Sequence, residues 1–162
     1  MGVILKKLFF KKIIIIFWGF LFFSPVFSIQ ASEVWTLYFS TIKGSEIEIY
    51  CYVAKSDREK ERGLMFREDL KNDECMIFVY DKPAILRFWM KNTLIPLSIG
   101  FIDSNLTLSE VFNMKPKDES IVSSTTEALY AVEVNLGWFK KNFVLHGSKL
   151  RIVPGDMRIK KK

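Results

Sequence analysis

Arg87, Trp89 and Lys91 alternate along one stretch, so in an extended chain all three project to one side while Phe88 and Met90 take the other. An aromatic ring between two cations suits stacking on a sugar ring or an anionic small molecule, and Asn92 and Thr93 add hydrogen-bonding groups in the turn that follows. The competing reading packs Trp89 beneath a loop, with Arg87 and Lys91 lying across it as apolar stems. Glu133 is a second candidate, because it interrupts the apolar run 129–136. A carboxylate in such a run needs a partner, and Arg62, Arg67 or Arg87 could provide one in a structural ion pair; the alternative is a catalytic carboxylate.

Other chemistries lack the residues they need. His146 is the single His, beside Gly147 in an expected turn, so a His–Cys pair or a His-based zinc site would rest on one residue. Asp57, Glu59 and Glu61 alternate with Lys and Arg as on a solvated helix, which argues against a general-acid pair. Glycine-rich phosphate loops, nucleophile elbows and His-Glu-x-x-His motifs are absent. No metal and no cofactor is expected. Cys51 and Cys75 occupy apolar strand positions that favour two buried thiols, although an oxidising compartment would allow their one disulfide.

The N-terminus points to such a compartment. Lys6, Lys7, Lys11 and Lys12 form a positive segment before the apolar run 13–23, and Ser28 and Ala31 are small residues suited to cleavage. Residues 1–31 therefore read as a signal peptide cut after 28 or 31, giving an exported, periplasmic or secreted protein. The run is shorter than the roughly 20 residues a spanning helix needs, and an uncleaved anchor is the alternative, the only membrane contact expected. The 162 residues carry a formal charge of +6, and losing the four N-terminal Lys leaves +2. The basic tail 155–162 carries +3 of its own, so the body, residues 32–154, is near −1. A nucleic-acid partner is not expected, because phosphate contacts require a basic surface on the folded body.

The elements that must hold these residues are strands. Apolar runs at 34–40, 47–54, 75–80, 85–90, 97–102, 106–114, 129–134 and 150–153 are separated by turn signals such as Lys43-Gly44, Asp81-Lys82-Pro83 and Asp103-Ser104-Asn105. Ile47, Ile49, Cys51 and Val53 share one face of the second run. Ser56 and Glu59 have capping-box spacing and Gly63 suits a helix end, so a short surface helix lies between, and residues 138–142 suit a second helical turn. The fold expected is mainly β: a compact antiparallel β sandwich or barrel with one or two short helices, preceded by the N-terminal signal helix.

The chain resembles the bacterial and archaeal family termed domain of unknown function 192. The resemblance rests on Ala54, Glu61-Arg62-Gly63-Leu64-Met65-Phe66-Arg67, Met76-Ile77-Phe78, Phe88-Trp89-Met90-Lys91-Asn92-Thr93, Pro96-Leu97, Phe101-Ile102-Asp103, Glu133 and Gly137-Trp138, and covers about residues 46–153. It implies a compact β-rich fold with one or two short helices, often secreted, and no established activity. Ser98 and Ser148 stand where the family usually has Asp, and Cys75 where it has Gly. A metal or acid–base role for those carboxylates is thereby in doubt here, whereas a turn-capping role would survive in Ser.

Two functional expectations follow. The first is a non-enzymatic binding or interaction module for a small polar ligand, sugar or envelope partner, using Arg67, Arg87, Trp89, Lys91, Asn92, Thr93 and Glu133. The second is an enzyme of unrecognised type, with Arg67, Lys91 and Glu133 in a polar pocket.

Overall fold

Apolar runs make both early stretches strands, β1 (Val34–Ser40), buried over most of its length, and β2 (Glu46–Ala54), whose apolar residues alternate, paired antiparallel around a turn. Gly44 in that turn has φ of 80°, and its N–H donates to the Thr41 carbonyl. The chain continues through α1 (Asp57–Arg62), β3 (Glu74–Ala84), β4 (Arg87–Phe88), β5 (Leu97–Ile102), β6 (Leu108–Met114), β7 (Val122–Ser123), β8 (Ala128–Asn135), α2 (Trp138–Lys141) and β9 (Leu150–Pro154). This computed structural model describes residues 33–155; the expected signal peptide, its cleavage sites and the tail beyond Gly155 lie outside the described residues.

The mainly β class with two short helices is what the chain adopts. Seven strands form one sheet in the order β6-β5-β8-β3-β2-β1-β9, and β4 and β7 form a small ribbon beside it. The sheet is not closed. Its edge strands approach at a Thr107–Lys149 bridge, where Leu108 N–H donates to Ser148 and Leu150 N–H to Leu106. One pair departs from the antiparallel expectation: β2 and β3 run parallel, which requires a crossover. That crossover is α1 and the turn after it. The capping box forms as expected, with Ser56 N–H donating to Glu59 and Glu59 N–H to Ser56 Oγ, and no residue of α1 is buried.

Two boundaries differ from the sequence reading. β3 continues through Asp81-Lys82-Pro83, expected to be a turn, because pairing with β8 lapses after Val79 and resumes at Ala84 opposite Ala128. Pro83 has no N–H to give the ladder, so the lapse falls where pairing would be broken anyway. The run 85–90 yields only the two residues of β4, since the following residues turn back as the 90–93 loop, Thr93 N–H donating to the Met90 carbonyl.

Both faces of the sheet are buried. One carries Leu37, Phe39, Ile49, Ile77, Val132 and Val134 beneath Trp138 and Phe139 of α2. Phe139 packs so tightly on Gly100 of β5 that a Cβ there would lie 2.6 Å from its ring. The other face carries Phe78, Leu97, Ile99, Phe101 and Ala131, covered by Phe88 of β4 and by Leu64, Leu70, Leu86, Met90 and Ile95 from irregular segments.

Cys51 and Cys75 face each other across the parallel β2–β3 pair, and their sulfurs are bonded. This corrects the expectation of two free thiols. Strand periodicity shows that each Cys is buried, but not that a parallel crossover sets them side by side, with Cα atoms 4.3 Å apart.

Candidate functional site

The crossover that makes β2 and β3 parallel also carries α1 and residues 63–65 across the loop-covered face of the sheet. Gly63, with φ of 45°, ends α1, its N–H donating to the Glu59 carbonyl, and Leu64 then drops into the core. Residues 87–89 approach from another side. Between them lies a cavity of about 200 Å³, floored by Phe78, Tyr80 and Glu133 and bordered by Lys60, Arg62, Met65, Arg87, Trp89 and Thr93.

Glu133 sits in the middle of β8, opposite Met76 of β3 and Ile99 of β5, and is 4% exposed. Among the described residues it has neither an ion pair nor a hydrogen bond. Every fully enclosed polar side-chain atom described here does have a partner. The Glu133 carboxyl therefore has its one open direction toward the cavity. Burial alone pushes its pKa up to about 8, so at neutral pH the neutral acid predominates and carries an O–H donor. The expected ion pair with Arg62, Arg67 or Arg87 does not form. Holding the charged form there would require a close cation, and burial removes the charge instead.

The remaining predicted residues separate into two groups. Alternation along 87–91 is as read from the sequence, with Phe88 and Met90 buried and Arg87, Trp89 and Lys91 outward. Trp89 is 38% exposed, which removes the reading that buries its ring under a loop. Arg87, Trp89, Thr93 and Glu133 share the cavity. Lys91 does not line it, but sets its Nζ 4.9 Å from the centre of the Trp89 ring. Arg67 is drawn away, its guanidinium stacked 4.1 Å above Tyr52. Asn92 contributes backbone, its carbonyl accepting from Phe66 N–H.

Tyr80 and Lys60 were not among the expected site residues, and Arg62 was named only as an ion partner for Glu133. Tyr80 shares a face with Met76 and Phe78 by period two, and Met76 lies opposite Glu133, so the β3–β8 register would have found it. Burial raises the Tyr80 pKa, with Glu133 adding to the effect, and Lys60 places its Nζ 4.3 Å from the ring centre. Arg62 and Arg87 are exposed, and neither has an acidic partner among the described residues.

The replaced family carboxylates have structural explanations. Ser98 Oγ donates to Asn113 and accepts the Gly137 N–H, fastening β5 to β6 and to the turn before α2. Ser148 Oγ accepts the Leu145 N–H, capping a turn. His146 is exposed, with Nδ1 2.7 Å from the Ser109 carbonyl, and the bonded cysteines leave it no thiol partner. It borders a larger, mostly apolar groove with Val111, Phe143 and Leu145, which lacks a buried charged group.

A curled, mixed seven-stranded sheet with a polar cavity beneath its crossover defines a small β-rich domain class. The profile of DUF192, described as uncharacterized ACR, matches residues 39–152, and the chain belongs to that family. No curated protein matches the sequence. Among solved structures, a candidate transcription regulator from Sinorhizobium meliloti is similar, with 28% identity and a TM-score of 0.73 over 75% of this chain and 95% of that one. A protein of unknown function from Novosphingobium aromaticivorans is similar at 27% identity, TM-score 0.72, over 76% of this chain and 89% of that one.

Proposed function

We propose that this DUF192 domain is an exported, non-enzymatic binding module that takes a small polar ligand, a sugar being the best-fitting class, in the Glu133–Trp89 cavity. One observation carries the reading: a buried carboxyl without a protein partner opens into a cavity bordered by a half-exposed indole. A neutral acid donates to a hydroxyl or ring oxygen, and an indole offers a face to a sugar's C–H groups. The volume of about 200 Å³ is below the roughly 300–1,000 Å³ of drug-sized pockets and suits a monosaccharide. Export is supported by the charged and apolar N-terminal segments and by the disulfide, which persists in oxidising compartments.

The enzymatic alternative loses two of its three residues, because Arg67 stacks on Tyr52 and Lys91 lies outside the cavity. The similarity to a candidate transcription regulator does not extend to a nucleic-acid role in this reading, since the body carries about one negative charge net. Calorimetric titration with a panel of monosaccharides tests the proposal. Binding that is lost in Trp89→Ala is the expected result; no heat from any member, with no shift in thermal midpoint, would contradict it.

A further inference from the structure

We infer that the cavity selects an acidic ligand of monosaccharide size, a hydroxy acid whose carboxylate meets Arg87 and Arg62 while a hydroxyl or ring oxygen accepts from Glu133. The inference rests on the proposed binding site and adds the ligand's charge. Three cations, Lys60, Arg62 and Arg87, border the cavity, against Glu61 as the one other acid among its lining residues. That concentration is opposite in sign to the body as a whole, which is near −1. Lys60 is turned onto Tyr80, which leaves the two guanidiniums as the groups with planar donors to offer. Guanidinium binds carboxylate through paired N–H donors, a geometry an ammonium cannot reproduce.

Glu133 adds a condition. As a neutral acid it donates to the ligand and leaves the cavity positive; once ionised it loses the donor and places a negative charge against the anion. Binding should therefore weaken as pH rises through the Glu133 pKa of about 8, approaching tenfold per pH unit above it. Other titratable or charged groups face the same space: Tyr80 of β3, Lys60, Glu61 and Arg62 of α1, and Arg87 of β4. A Glu133→Gln variant separates Glu133 from all of them, because the amide still donates but does not ionise.

The experiment compares glucuronate with glucose, two rings of the same shape that differ in the carboxylate, by calorimetry on the full protein at pH 6.5 and 9. Expected are at least tenfold tighter binding of glucuronate than glucose at pH 6.5, a fall of about tenfold for glucuronate at pH 9, and loss of the preference in Arg87→Gln. Glu133→Gln should bind glucuronate a few-fold more weakly, with no dependence on pH. Equal binding of the two sugars overturns the inference and leaves the binding module standing; binding of neither overturns both. Should Glu133→Gln not fold, the exposed Arg87→Gln variant and the wild-type pH comparison still decide.

Discussion

Phe66 and Asn92 join the two most distinctive segments of the chain: Phe66 N–H donates to the Asn92 carbonyl at 2.9 Å, and both residues have positive φ, 63° and 55°. Asn tolerates this conformation, whereas Phe does so at a cost of roughly 1–2 kcal/mol. The Phe66 side chain is 65% exposed, so little burial offsets the strain. The bond is a backbone one, which explains why the residues on either side can serve different purposes while the two loops stay fixed beside the cavity.

Phe66→Gly should therefore leave stability unchanged or raise it by up to about 1 kcal/mol. Urea unfolding checks this. A loss above 1 kcal/mol would show that the exposed ring has a packing role.

Trp89→Ala should lower stability by about 1–2 kcal/mol, less than the roughly 3–5 kcal/mol of a fully packed aromatic, because the ring is already partly in solvent. Lys91→Ala should change it by less than about 1 kcal/mol, as an exposed cation over a ring contributes little. A large fall in unfolding midpoint for either variant would assign the segment to holding the fold.

The disulfide closes a loop over a sequence separation of 24 residues, and the chain-entropy account gives about 3 kcal/mol for linking it. Reduction, or the paired Cys51→Ala and Cys75→Ala substitution, should lower the thermal midpoint by several degrees. Identical melting of oxidised and reduced protein would contradict the bond's stabilising role.

Stability should fall with rising pH because of Glu133. Its pKa is raised from 4.5 to about 8 on folding, so the folded state retains a proton that the unfolded chain releases. The contribution is fully present below pH 4.5 and is lost progressively up to pH 8, by an amount on the order of 4 kcal/mol. Glu133→Gln should therefore be more stable than wild type at pH 8 and nearly equal to it at pH 4.5, in urea titrations at both values. Equal stability differences at the two pH values would contradict the shift.

Much of the frame was legible from the residues. Period-two alternation placed Ile49, Cys51 and Val53 on one buried face and put Arg87, Trp89 and Lys91 outward, and the Ser56–Glu59 spacing marked the helix start. What local pattern does not encode is which strands become neighbours. The parallel β2–β3 pair was therefore missed, and with it the disulfide and the placement of Lys60 and Tyr80 at the Glu133 cavity. Arg67 shows the same limit at one side chain. Charge suggested a partner for Glu133, but the ring of Tyr52 holds its guanidinium, and burial leaves Glu133 needing no cation.

Glu133 presents a neutral carboxylic acid to the cavity at physiological pH, and the binding reading depends on it. Carbon-detected NMR titration of the Glu133 side-chain carboxyl, assigned by comparison with Glu133→Gln, measures this directly. The expected midpoint is near 8, far above the ordinary value of 4.5. A midpoint at or below 4.5 would mean that a paired or solvated carboxylate occupies the site, and would contradict that reading.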